Sequence, residues 1–158
     1  MKSAIYPFIL ATSLAAGSAL GADTTPSATP AAPADPAVER YTAASASQDW
    51  GAAAAAMRDA LSRDAGNADF HNLYAYSLRK GGSPSMDLVF KHYNEALRID
   101  AKHRGAHEYI GEAYLMVGNA AKAKEHLGAL DKLCFFGCAE FSDLKKAIAE
   151  YESKSAKR

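Results

Sequence analysis

Seven residues, His107, Ile110, Gly111, Tyr114, Ala123, Leu127 and Leu130, stand at the spacing of two amphipathic helices interrupted at Gly118-Asn119. A glycine closes the first helix without a Cβ penalty, and an asparagine caps the second. Small residues at Gly111 and Ala123 let two helices approach closely, and the larger ones fill the space around them. The set returns upstream. His71, Tyr74, Ala75 and Leu78 lie 36 positions before their counterparts, and Val89, Tyr93 and Ala96 lie 34 before theirs, so Gly81 to Met86 carries a short insertion. Gly82 stands for Gly118, and Ala53, Met57 and Ala60 repeat the second-helix positions once more.

The rest of the order follows from local signals. Val38, Tyr41 and the alanines to Ala46 make a weak first helix broken at Gln48-Asp49. Trp50 to Arg63 makes a second, where alanine propensity and periodicity agree, and Ala65-Gly66-Asn67 ends it. In the next pair, Ser83 reads as the N-cap and Pro84 as the first helical residue of the second helix. A last helix, 139–152, carries Phe141, Leu144, Ile148 and Tyr151 on one stripe, with Asp143, Lys145, Lys146 and Glu150 on a polar outer face. Residues 153–158 form a short basic tail expected to fray.

A helix-turn-helix period near 34 residues with this large-small-aromatic spacing resembles the tetratricopeptide repeat. The run from Leu130 to Tyr151, which includes C-F-F-G-C, is similar to the end of a group of small exported bacterial proteins of that family. The third copy has His107 where the family opens on tryptophan and lacks the closing proline. The second has Ala75 for glycine and Ala101 for proline, and the first copy is the poorest match. The resemblance implies an all-α stack of about three hairpins (about 37–67, 68–103 and 104–135) plus a capping helix, three copies being enough for a stacked core.

It also implies a concave groove lined by the first helix of each pair. The first-helix residues left over from packing are Asn72, Tyr76, Arg79 and Lys80 in the second copy, and Glu108, Glu112 and Leu115 in the third. These are the candidate partner-binding residues, with Tyr76 and Leu115 as apolar contacts and Arg104 offsetting the repulsion between Glu108 and Glu112. A carboxylate clamp of the kind some family members use is not expected: only Asn72 fits, while Val38, Thr42, Gly105 and Tyr109 fill the other places.

The N-terminus gives an address. Lys2, the short apolar run from Ala4 to Ala16 and the small residues after it read as a signal peptide, 1–22, cut after Ala19, Gly21 or Ala22. The run is too short to span a bilayer, and no cysteine stands at the cleavage region for a lipid anchor. Residues 23–36, D-T-T-P-S-A-T-P-A-A-P-A-D-P, lack any bulky apolar side chain and read as a flexible linker. The mature chain is therefore expected in the periplasm or outside the cell. An oxidising compartment favours a disulfide between Cys134 and Cys138, whose small loop would contribute about 2 kcal/mol if unstrained.

Lys plus Arg and Asp plus Glu both number 18, so no charge excess points to nucleic acid. No phosphate loop, HExxH, nucleophile elbow or haem attachment motif occurs, so an enzyme is not expected, and no cofactor or metal is assigned. Five histidines raise a metal question. His103 falls in a turn, His71 and His107 hold matching packing places, and His92 and His126 lie near core-facing rows, which favours structural roles. The expected function is a protein–protein interaction scaffold that binds a peptide or partner protein in the groove. Three copies make a short groove, which leaves homodimerisation open. The alternative is a small exported copper-handling or thiol-redox protein that uses Cys134 and Cys138.

Overall fold

The structure is a computed structural model, and it describes residues 35–157. The expected signal peptide, 1–22, and residues 23–34 of the expected linker lie outside those residues. The all-α expectation holds: seven helices and no strand occur among the described residues. They are α1 (Pro36–Ala46), α2 (Trp50–Arg63), α3 (Ala68–Lys80), α4 (Met86–Ile99), α5 (Arg104–Met116), α6 (Ala120–Leu133) and α7 (Ala139–Ser155).

Most helices start where a side chain can satisfy a free backbone N–H. Asp35, Asp49, Asn67 and Asn119 accept from Ala37, Ala52, Phe70 and Lys122. The first of these changes a boundary. Asp35 caps a helix whose first residue is Pro36, so the last two residues of the expected linker belong to the fold. The start of α4 also moves: Ser85, not Ser83, is the cap, it makes no side-chain cap bond, and Pro84 stays in the turn. Met86, packed beside the Val89–Tyr93 core, is the first helical residue. At the other end α7 continues to Ser155, three residues past the expected cap.

Each helix from α1 to α6 packs on the next in sequence, while α7 turns back onto both α5 and α6 and α3 touches α5. Three apolar clusters follow one another along the chain. The first holds Ala37, Ala56, Met57, Ala60 and Phe70, the second Ala75, Val89, Tyr93, Ile110 and Ala113, and the third Ala123, Leu130, Leu144 and Ile148. The seat of α7 depends on one missing side chain. A Cβ on Gly111 would come within 2.7 Å of the fully buried Leu144, so only glycine lets α7 lie this close to α5.

Candidate functional site

Three of the candidate groove residues, Arg79, Glu108 and Glu112, meet on the side shared by α3, α5 and α7, and two of them are already engaged with each other. Arg79 of α3 has a side chain only 8% exposed; its guanidinium lies 2.6 Å from Glu112 of α5, and its Nε donates to the Tyr93 hydroxyl at 3.3 Å. It also sits between the rings of Tyr76 and Tyr109, 5.4 and 5.7 Å from their centroids. Burial works against its charge, but Tyr93 and Glu112 outweigh burial and hold Arg79 above its ordinary value. Burial likewise pushes Tyr93 up, although the neighbouring Arg79 opposes it. Arg79 and Glu112 thus pin α3 to α5 through an ion pair buried on its arginine side, and removing Glu112 would leave the Arg79 charge stranded.

The offset to the Glu108–Glu112 repulsion therefore comes from Arg79, not from Arg104. Arg104 points away, with its Nε 3.6 Å from Glu140. Glu108 itself has no cation in contact among the described residues. It is 8% exposed, and burial first, then the carboxylates of Glu112, Asp143 and Glu140, push it up to about 7. Its neighbour Tyr109 is pushed up to about 12 by burial and then by Glu108. Glu108 and Glu112 line a hollow of about 300 Å³ with Asp143, Lys146, Ala147 and Glu150 of α7. Four carboxylates face one ammonium there.

The remaining candidates go elsewhere. Asn72 is buried against Gly105, and its Oδ1 has no hydrogen-bond partner among the described residues. Leu115 is half-buried and packs against the third core cluster. Lys80 is exposed, with its ammonium 5.6 Å from the centre of the Trp50 ring. Tyr76 joins a row of rings, 5.6 Å from Trp50 and 4.7 Å from Tyr109. Sequence reasoning missed the contribution of α7. Asp143, Lys146 and Glu150 are exposed, as an outer polar face requires, and they also line the hollow opposite α5. The signal was available, because α7 follows α6 where another first helix would stand.

The histidines pair within hairpins. His71 of α3 and His92 of α4 bring their Nδ1 atoms to 2.8 Å, and His107 of α5 and His126 of α6 bring theirs to 2.9 Å. In both pairs the first histidine reaches back with Nε2 to a carbonyl in the preceding turn, Ala65 or Ala101, each at 3.1 Å. A carbonyl only accepts, so Nε2 carries the proton, the Nδ1 of His71 and His107 must accept, and the second histidine donates. Burial, then the partner histidine, lowers His92 and His126 to about 4. The neutral pair is a hydrogen-bonded staple between two helices.

Cys134 and Cys138 are joined by a disulfide, with Cα atoms 5.5 Å apart. They are the end residues of two helices: Cys134 is the C-cap of α6 and Cys138 the N-cap of α7. Their sulfurs and the Glu140 carboxylate lie within 4.8 Å of one another, but bonded sulfurs are not thiolate ligands, so this trio does not fit a soft metal ion in the oxidised state. Between the cysteines, Phe135 and Phe136 are 87% and 96% exposed, and Gly137 turns the chain at φ +83°. No protein-family model matches this chain, and no curated protein matches it either. No helix among the described residues is long and apolar enough to cross a membrane.

Proposed function

We propose that the chain is an exported tetratricopeptide-like repeat protein, without enzymatic activity in its groove, that holds a cationic segment of a partner protein or peptide on the α3–α5–α7 face. The repeat reading is supported by the paired histidines, which recur at the same places in consecutive hairpins with nearly the same geometry. The cationic partner is supported chiefly by Glu108: a half-neutral buried carboxyl in a hollow of carboxylates gains its charge, and a partner, when a Lys or Arg side chain enters. The aromatic row of Trp50, Tyr76 and Tyr109 lies alongside as apolar contact surface. Localisation to the periplasm or cell envelope rests on the signal-peptide reading of residues 1–22.

The test compares two defined peptides of equal length, one Arg/Lys-rich and one Asp/Glu-rich, titrated into the mature chain by calorimetry. The basic peptide should bind, release protons to the buffer as Glu108 ionises against it (a binding heat that changes with the buffer's ionisation enthalpy), and weaken with salt. Glu108→Gln/Asp143→Asn should weaken it roughly tenfold, about the value of one or two lost charge pairs. Equal binding of both peptides, or no change in the double variant, would sink the proposal. Glu112→Lys is not a clean probe, because it strands Arg79.

A further inference from the structure

The disulfide joins two helix ends of opposite polarity. Cys134 closes α6, where free carbonyls leave partial negative charge, and Cys138 opens α7, where free N–H groups leave partial positive charge. Cys138 Sγ already accepts a hydrogen bond from the backbone N–H of Phe141 at 3.4 Å. A thiolate on Cys138 would inherit that donor and the favourable end of the helix, whereas one on Cys134 would face the unfavourable end. Glu140 lies within 4.8 Å of both sulfurs and disfavours both thiolates.

The bridge also holds little that would otherwise come apart. Helix α7 is seated by Leu144 against Gly111 and by Ile148 in the third cluster. The loop that the bridge closes buries none of its own large side chains; Phe135 and Phe136 stack edge-to-face on each other at 5.2 Å, out in solvent. Both cysteines are only half-buried. Cys134 packs against the third cluster on one side, and the exposed aromatic pair on the other gives the half-buried bridge an approach surface for a polypeptide.

We propose that Cys134–Cys138 is a thiol–disulfide exchange site with a fixed direction, taking a dithiol polypeptide as substrate. A substrate thiolate attacks Cys134 Sγ. A bond forms between those two sulfurs, the Cys134–Cys138 bond breaks, and its electron pair leaves on Cys138 Sγ, where the Phe141 N–H holds it. The second substrate thiolate then attacks the first substrate sulfur, closing the substrate disulfide and releasing Cys134 as a thiolate that takes a proton from water. The substrate loses two electrons and the bridge gains them; an external disulfide returns the bridge by the reverse steps. This activity does not depend on the groove.

The oxidised, folded protein is treated with glutathione, quenched with an alkylating agent, and mapped by peptide mass. Glutathione should appear on Cys134, with Cys138 alkylated, in roughly tenfold excess over the reverse, the bias expected of opposite helix ends. Separately, alkylation of Cys138 in Cys134→Ser should follow a thiolate titration about one pH unit below that of Cys134 in Cys138→Ser. Phe135→Ala/Phe136→Ala should slow exchange with a reduced protein dithiol and leave exchange with dithiothreitol unchanged. A bridge that native dithiothreitol cannot reduce, or adduct divided evenly between the two cysteines, would overturn the proposal.

Discussion

The first hairpin and the two that follow use matching positions and different chemistry. In α1–α2 the core is mostly alanine around Met57 and Phe70, and exposed ion pairs tie the helices together. Arg40 pairs with Asp59, while Arg63 reaches Asp59 at 2.9 Å and Asp35 at 2.8 Å. In α3–α4 and α5–α6 larger side chains fill the core, and a half-buried pair of histidines joins the two helices. Exposed ion pairs contribute little and are screened by salt, whereas an internal hydrogen bond is costly to leave half-made. Similar periodicity thus conceals unequal stability, and the amino-terminal hairpin should open first.

The largest effect should come from the cores. Ile110→Ala removes a fully buried side chain between the second and third hairpins and should cost about 3 kcal/mol, with loss of hydrogen-exchange protection from α3 to α6. Met57→Ala, equally buried, should cost about 2–3 kcal/mol, but its loss of protection should stay within α1 and α2. If Met57→Ala loosened α5 and α6 as much as Ile110→Ala, the hairpins would not differ in the way described.

Acid should separate the regions next. Unfolded, an imidazole takes up its proton near 6.5; folded, His92 and His126 do so only near 4. The unfolded chain binds more protons across that window, so the histidine contribution is complete above 6.5 and is lost as pH falls to 4. Glu108 runs the other way. Its folded value is about 7 against 4.5 unfolded, so the folded chain binds the extra proton and stability declines as pH rises from 4.5 to 7. In the wild type the two trends blunt each other. Glu108→Gln should therefore raise the urea midpoint above pH 7 and expose a steeper acid loss; a midpoint lower than wild type at pH 8 would contradict this account.

The smallest effect belongs to the surface pairs. Asp59→Asn should lower the protection of α1 slightly at low salt and not at all in molar salt, measured by hydrogen exchange in both buffers. A loss that persists in molar salt would mean that the ion pairs carry more of this hairpin than exposure allows.

Much of the helical pattern could be read from the residues. The cap at Asn119, the breaks at Asp49 and Asn67 (both N-caps in the structure) and the buried Ala53, Met57, Ala75, Tyr93, Ile110, Leu130 and Leu144 follow from turn chemistry and from apolar spacing. What could not be read is which neighbour a side chain meets. Spacing placed Arg79 and Glu112 on one exposed-looking face, but only the approach of α3 to α5 turns them into a buried pair. Periodicity likewise set four histidines near the core without matching them in twos. The polar side of α7 is legible as polar and exposed, but not as one wall of a hollow shared with α5, because that depends on Gly111, two helices away, admitting Leu144.

His71 and His92 stand 21 positions apart, and His107 and His126 only 19, yet both pairs close to nearly the same distance. The two extra residues are absorbed wholly in the turn from Gly81 to Ser85. Turn length is thus a free parameter of this hairpin, set apart from its fold by a lock farther down the helices. For a protein engineer the turn is an insertion port: a fluorophore tag or a second binding loop grafted after Gly82, where a side chain meets no neighbour within 4 Å, should leave both helices in register.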